Sequence, residues 1–322
     1  MESMEIKGKN ILVTGGNGFV GGHLVEELVK LKANVIVADI NLDQKSYLYT
    51  KKLHKKAKIV NLNICDYKKL LVLIKKNKID FIFHLAAQAL VEDAFKNPKY
   101  TLENNIVSTI NILEAVRINP QIKGLIVASS DKCYGKLTKK QYVETDPLSG
   151  DHPYDTSKSA TDLISTTYYK TYNIPVVVTR FGNIYGEGDL NLSRIIPGIM
   201  ESIVKNKTLK VRSNGKYIRD YLHVKDVVSG YLLLAEKIDK LKGQVFNFGS
   251  DETLSVVEVI KLFEKILHKK INFKILNTAK NEIPYQSLNC LKIKRELNWY
   301  QKYSLKSTAE QILTWYKNFF NR

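Results

Sequence analysis

Cysteine is scarce. The 322-residue chain has three, Cys65, Cys133 and Cys290, which are scattered and do not have the spacing of a metal site. This excludes a disulfide-stapled scaffold and a thiolate metal centre, and it predicts reduced thiols in a cytoplasm. No uninterrupted apolar run approaches the roughly 18 residues that a membrane-spanning helix needs. The opening Met1–Glu2–Ser3–Met4–Glu5 is acidic and short, unlike a secretory signal. Arginine is scarce too: lysine dominates the 50 basic residues behind a formal net charge of +18. Such a charge raises the question of a nucleic-acid partner. The lysines, however, are spread over predicted helix faces and turns (Lys51, Lys52, Lys55, Lys56; Lys75, Lys76, Lys78), with no aromatic-interleaved patch for stacking bases. The reading is a solvated basic surface with a modest bias towards anionic ligands, and no nucleic acid, membrane or metal.

The chain is long enough for a large core, and its hydrophobic content of 44% is ordinary for a globular protein. Strands and helices alternate. Asn10–Ile11–Leu12–Val13–Thr14 reads as a strand, His23 to about Lys32 as a helix with Leu24, Leu28 and Leu31 at helical spacing, and Asn34–Val35–Ile36–Val37–Ala38–Asp39 as a strand. Strands at 58–62, 80–85, 124–128 and 174–179 follow. Between them lie helices at 67–76, 99–116 and from Tyr154 to about Tyr172. The pattern predicts an α/β fold: a Rossmann-type, doubly wound parallel sheet. After Arg180 the turns are denser, which predicts a smaller mixed α/β lobe for the substrate. The expected division is 1–179 for cofactor and catalytic residues and 180–322 for substrate. Segments near 180–186 and 243–268 are expected to return to the first domain. Further helices are expected at 225–237, from Ser255 to His268 and from Ser307 to Phe320.

Gly15, Gly18 and Gly21 stand three apart between a strand and a helix, and Asp39 follows 18 residues after Gly21. A turn that approaches a pyrophosphate closely has no room for side chains, and the N–H groups at the helix start face the phosphates. Asp39, at the end of the second strand, can accept ribose hydroxyls and would repel a 2′-phosphate. NAD is therefore expected over NADP. Alternatively, Asp39 is a helix cap or a solvated turn acid.

The chemistry is expected where Ser129–Ser130–Asp131–Lys132–Cys133–Tyr134–Gly135 leaves strand 124–128, together with Tyr154 and Lys158 on one face of the next helix. A tyrosine of ordinary pKa near 10 is a poor base at neutral pH. A nearby ammonium and an oxidised nicotinamide both favour its phenolate. That phenolate could take the proton of a sugar hydroxyl as its carbon gives hydride to NAD, with Ser130 orienting the hydroxyl.

With these residues in view, the sequence resembles the extended short-chain dehydrogenase/reductases of the NAD-dependent epimerase/dehydratase family. The likeness runs through Gly15–Gly16–Asn17–Gly18–Phe19–Val20–Gly21, His84–Leu85–Ala86–Ala87–Gln88, Asn105 with Thr109, and Ser130 with Tyr154 and Lys158. It continues through Arg180–Phe181–Gly182–Asn183–Ile184–Tyr185–Gly186 and Arg219–Asp220–Tyr221–Leu222–His223, ending in Asn298–Trp299. The resemblance implies a cofactor site of Gly15, Asn17, Gly18, Phe19, Val20, Gly21, Asp39, Asn63, Ile64, Leu85, Ala86, Ala87, Gln88, Asn105, Tyr154 and Lys158. It implies substrate contacts from Gln88, Ser130, Asn183, Arg194 and Arg219, with Asn183 and Arg219 on a pyrophosphate. Asn183 read as a turn residue and Arg219 as a surface ion pair with Asp220 remain the plainer alternatives.

Within that family the two residues after Ser130 discriminate. Sugar 4-epimerases usually carry small or neutral residues there, and 4,6-dehydratases carry ionisable ones that remove water across C5 and C6. Asp131 is the implied acid. Lys132 departs from the Asp-Glu usual in deoxythymidine-diphosphate-glucose 4,6-dehydratases and resembles the cytidine-diphosphate-glucose enzymes. It is left as the C5 base, as a cation for the enolate, or as a mere partner of Asp131. The expected function is a nucleotide-diphosphate-hexose 4,6-dehydratase with Ser130, Asp131, Lys132, Tyr154 and Lys158 catalytic. A 4-epimerase, or an RNA- or ligand-binding relative of the fold, is the alternative. The resemblance also implies a homodimer through the 99–116 and 154–172 helices, using Ile106, Ile110, Leu113, Leu163 and Tyr168.

Overall fold

A computed structural model describes residues 6–136, 139–278 and 283–321. Six apolar runs form its main sheet: β1 (Asn10–Thr14), β2 (Asn34–Asp39), β3 (Lys58–Asn61), β4 (Phe81–His84), β5 (Gly124–Ala128) and β6 (Val176–Phe181). Their order is β3-β2-β1-β4-β5-β6, with Val245–Phe248 beyond β6 as a seventh strand. The pairings among the six are parallel; Val13 lies opposite Val37 on one side and Phe83 on the other. Successive strand residues point to opposite faces. Ile11, Leu12 and Val13 are all fully buried, so both faces of the sheet are covered. The strand order reverses between β1 and β4, which is where open α/β sheets place a ligand.

The connecting helices are α1 (Phe19–Lys30), α2 (Tyr47–Thr50), α3 (Tyr67–Lys76), α4 (Val91–Lys96), α5 (Pro98–Arg117) and α6 (Pro153–Tyr172). Each boundary has a local cause. Asp66 caps α3 by accepting the Lys69 N–H. Pro98 and Pro153 occupy the first positions of α5 and α6, where a missing N–H costs nothing. Asn173, at φ 53°, ends α6 in the left-handed region. α1 begins at Phe19, earlier than the expected His23, because the end of the glycine turn is itself the first helical turn. The core under this sheet runs through Leu12, Ile36, Leu70, Ile82, Ile112, Leu125 and Val127.

The chain divides into two compact units. The first holds the described residues up to 136, with Glu144–Phe181 and Val228–Asn247; the second holds residues 139–143, Gly182–Val227 and the described residues from Phe248 on. In the second unit a small sheet joins Asn183–Tyr185, Ile218–His223, Thr253–Ser255 and Tyr285–Gln286. The helices Ile195–Lys205, Val256–Leu267 and Leu305–Phe320 close a core of Met200, Phe263, Ile312 and Tyr316. Ser255 and Glu258 form a reciprocal cap on the middle helix. Among the described residues no helix is long and apolar enough to cross a membrane, and no cluster of metal-ligating side chains occurs.

Candidate active site

The turn after β1 has the shape that phosphate binding requires. Gly15 sits at φ 71°, and a Cβ there would meet the Ala86 backbone at 2.8 Å. A Cβ on Gly21 would strike the Gly15 carbonyl oxygen. These two positions let the turn pass close under the loop after β4. The N–H groups of Phe19, Val20 and Gly21 open α1 and have no preceding turn to bond to.

Asn17 braces this turn. Its Nδ2 donates to the Asn41 carbonyl at 2.7 Å, and its Oδ1 accepts the Ser46 hydroxyl at 2.6 Å. Asp39 accepts the Asn17 N–H at 3.0 Å on one oxygen and the Asn41 N–H at 3.1 Å on the other. Burial raises its pKa above the ordinary carboxylate value, partly offset by these N–H groups. Each oxygen keeps lone pairs for ribose hydroxyls. Asn63 is exposed, its Oδ1 taking the Cys65 N–H, while Ile64 is buried in the core. The turn, its helix start and Asp39 thus fit an adenine dinucleotide.

Leu85, Ala86, Ala87 and Gln88, all half-buried, follow β4 across the reversal from the glycine turn. Gln88 is held by its surroundings: its N–H donates to Asn105 Oδ1 at 2.7 Å and its Nε2 to the Leu90 carbonyl at 3.0 Å. Asn105 donates in return to the Gln88 carbonyl and to Ser157 Oγ, and Ser157 donates to the Tyr154 carbonyl at 2.7 Å. Asn105, expected at the cofactor, therefore couples the β4 loop to the first turn of α6. Beneath it His84 bonds Thr14 at 2.8 Å; burial, then the charge of Lys158, push its pKa down to about 3, so it is neutral.

At the end of β5 the chain tightens into a 3-10 turn, Asp131–Tyr134, capped by Ser130 Oγ, which accepts the Lys132 N–H at 3.2 Å. Ser130 donates its hydroxyl to Asp131 Oδ1 at 3.0 Å, and Lys132 Nζ lies 3.3 Å from Asp131 Oδ2. Asp131 is only 3% exposed. Lys158 reaches back from α6 and donates to the Ala128 carbonyl at 2.8 Å, two residues before Ser130. Burial lowers its pKa to about 8. Tyr154, also buried, is one helical turn before it. The structure thus brings Ser130, Asp131 and Lys132 into direct contact, with Lys158 anchored to the same strand end.

Three side chains that sequence reasoning passed over shape this corner. Arg180 on β6 grips Asp162 on α6 with two bonds, 2.7 and 2.9 Å, and donates to the Tyr134 hydroxyl at 2.6 Å, tying the 3-10 turn to helix and sheet. The available signal was spacing: Asp162 is one turn beyond Lys158 on the same helix. Asp155, next to Tyr154, is buried and feels Lys132, Asp131 and Asp151. Burial pushes its pKa up to about 6. In sequence it is an ordinary first-turn helix acid.

The remaining expected substrate residues lie in the second unit. Asn183 Nδ2 approaches the Asp220 carbonyl at 3.4 Å, and the Arg219 guanidinium bonds the Ile218 carbonyl at 2.8 Å above the Tyr217 ring. Arg194 pairs with Asp189 at 3.0 Å.

Residues 11–249 match the model of the NAD dependent epimerase/dehydratase family. The chain is 30% identical over 337 residues to the CDP-glucose 4,6-dehydratase of Salmonella typhimurium, covering 97% of this chain and 91% of that one. The dTDP-glucose 4,6-dehydratase of Bacillus anthracis, solved in complex with NAD, superposes with a TM-score of 0.85 at 28% identity, covering 96% of this chain and 97% of that one. The UDP-glucose 4-epimerase of Thermotoga maritima, solved with UDP-glucose, superposes with a TM-score of 0.87 at 27% identity, covering 97% and 99%. The chain therefore belongs to the NAD dependent epimerase/dehydratase family, and its cofactor is NAD.

Proposed function

We propose that the protein is a nucleotide-diphosphate-hexose 4,6-dehydratase that converts a hexosyl nucleotide into its 4-keto-6-deoxy form. The observation that carries this reading is the Asp131–Lys132 pair, bonded to Ser130 at the end of β5. Inverting C4 by way of a ketone needs no such pair; expelling a hydroxyl as water needs a proton donor and a means of taking the C5 proton. The similarity to CDP- and dTDP-glucose 4,6-dehydratases supports it. The second reading is a nucleotide-sugar 4-epimerase, favoured by the equally similar UDP-glucose 4-epimerase.

NAD held there would supply the hydride acceptor for C4 and the hydride donor for C6. The chain's own residues do the rest. Ser130 orients the C4 hydroxyl, and Tyr154 takes its proton. The ammonium of Lys158, held by the Ala128 carbonyl, favours the tyrosine phenolate. Asp131 gives its proton to the departing C6 hydroxyl. Asp39, the glycine turn and the loop from Leu85 to Gln88 hold the cofactor, with Asn63 near the adenine. Asn183 and Arg219 hold the substrate pyrophosphate, and Arg194 contributes to the nucleotide end. Mass spectrometry of products from a panel of nucleotide-diphosphate glucoses and N-acetylglucosamine tests the assignment.

The working form is proposed as a cytoplasmic homodimer built on α5 and α6. Ile110 and Leu163 support this, being 37% and 57% exposed on those two helices, although Leu113 is fully buried in the sheet core and contributes nothing there. The Leu163→Glu variant is expected to shift the protein from dimer to monomer in size-exclusion chromatography with light scattering. A wild-type monomer, or a variant that stays dimeric, would contradict it.

A further inference from the structure

Asp155 is 8% exposed, and among the described residues its carboxyl makes no hydrogen bond. It is the third residue of α6, where an acid commonly reaches back to cap the helix; here the cap is His152 instead, whose Nδ1 accepts the Tyr154 N–H at 3.3 Å. A carboxyl held in such surroundings without a hydrogen-bond donor keeps its proton more tightly than an ordinary one. The charged groups facing it are Lys132 and Asp131 on the 3-10 turn and Asp151 on the segment leading into α6, with Lys132 opposing the other two. Lys132 is already engaged by Asp131 at 3.3 Å.

Resting on the dehydratase reading above, we propose that Asp155 is the proton acceptor of the elimination and that Lys132 serves as the ammonium between it and Asp131. Once C4 is a ketone, the Asp155 carboxylate takes the C5 proton. The C5–H electron pair becomes the C5–C6 double bond, the C6–O bond breaks, and the hydroxyl leaves as water with the proton of Asp131. Lys132 balances charge throughout and offsets the negative charge that gathers on the C4 oxygen. A carboxyl whose pKa stands near 6 is a stronger base than an ordinary carboxylate, yet mostly ionised at neutral pH.

The test uses the NAD-loaded protein with whichever nucleotide-diphosphate glucose it turns over. The wild-type rate is expected to fall as the pH drops through about 6, where Asp155 becomes protonated. Asp155→Asn is expected to cut product formation ~10²-fold or more, with reduced nicotinamide building up because C4 oxidation still proceeds. Asp155→Glu is expected to restore part of the rate together with the acid limb. Lys132→Met is expected to slow turnover while keeping that limb. A purely structural Asp155 would not govern the limb, and melting curves identify any variant that fails to fold. A wild-type profile without the limb, or Asp155→Asn turning over at the wild-type rate, overturns this inference alone. Conversion of the wild type's substrate only into its 4-epimer overturns the dehydratase reading instead.

Discussion

Replacing Asp131 with asparagine is expected to slow water loss ~10²–10⁴-fold, the range for removing a positioned general acid. The substitution keeps size and shape, so the 3-10 turn should persist. What is lost is the ionisable oxygen that contacts Lys132 Nζ at 3.3 Å and would supply the transferable proton. The Ser130 hydroxyl, which donates to Asp131 Oδ1, retains an amide oxygen to bond. Tyr154 and the Lys158–Ala128 contact are untouched, so oxidation at C4 should continue. Single-turnover experiments should therefore show reduced nicotinamide accumulating while the dehydrated product is delayed. Equal loss of both steps would mean that Asp131 acts on the redox half or on binding. Undiminished dehydration would remove it from the chemistry.

The second large effect concerns stability. Arg180→Met is expected to cost about 3–5 kcal/mol, as removing one member of a buried ion pair leaves the other charge uncompensated. Asp162 is 2% exposed and receives two of the guanidinium bonds; the Tyr134 hydroxyl and the Glu144 carbonyl receive the others. The double variant Arg180→Met with Asp162→Leu should recover most of the loss, since an apolar pair of similar volume can replace a buried ion pair. Chemical denaturation of the three proteins measures both effects. A single-variant loss below about 1 kcal/mol, the scale of an exposed pair, would contradict the account. Because Tyr134 ends the turn that carries Asp131, a loosened Arg180 should also blur the geometry of the acid.

The legible part of this protein was local. Gly15, Gly18 and Gly21 announce their turn because no other residue fits a 2.8 Å approach to the Ala86 backbone or the space beside the Gly15 carbonyl. The strands of the main sheet are legible because burial on both faces makes them continuously apolar. Tyr154 and Lys158 are legible as a helical pair one turn apart. What was not legible depends on long-range packing. Asp155 becomes a buried carboxyl only because α6 lies against the Asp131–Tyr134 turn. Asp162 and Arg180, 18 residues apart, meet only once β6 joins the sheet beside α6. The amides of Asn17 and Asn105 brace the chain through partners distant in sequence. The small sheet of the second unit uses strands of two to six residues, too short for periodicity to declare.

The most direct test of the central claim is the mass of the product. The purified protein, loaded with NAD, is incubated with cytidine-, deoxythymidine- and uridine-diphosphate glucose and their N-acetylglucosamine counterparts, and each mixture is analysed by mass spectrometry. The account predicts that one of them yields a sugar nucleotide lighter by one water, with no net formation of reduced nicotinamide. A product of unchanged mass, separable from the substrate as its 4-epimer, would contradict it.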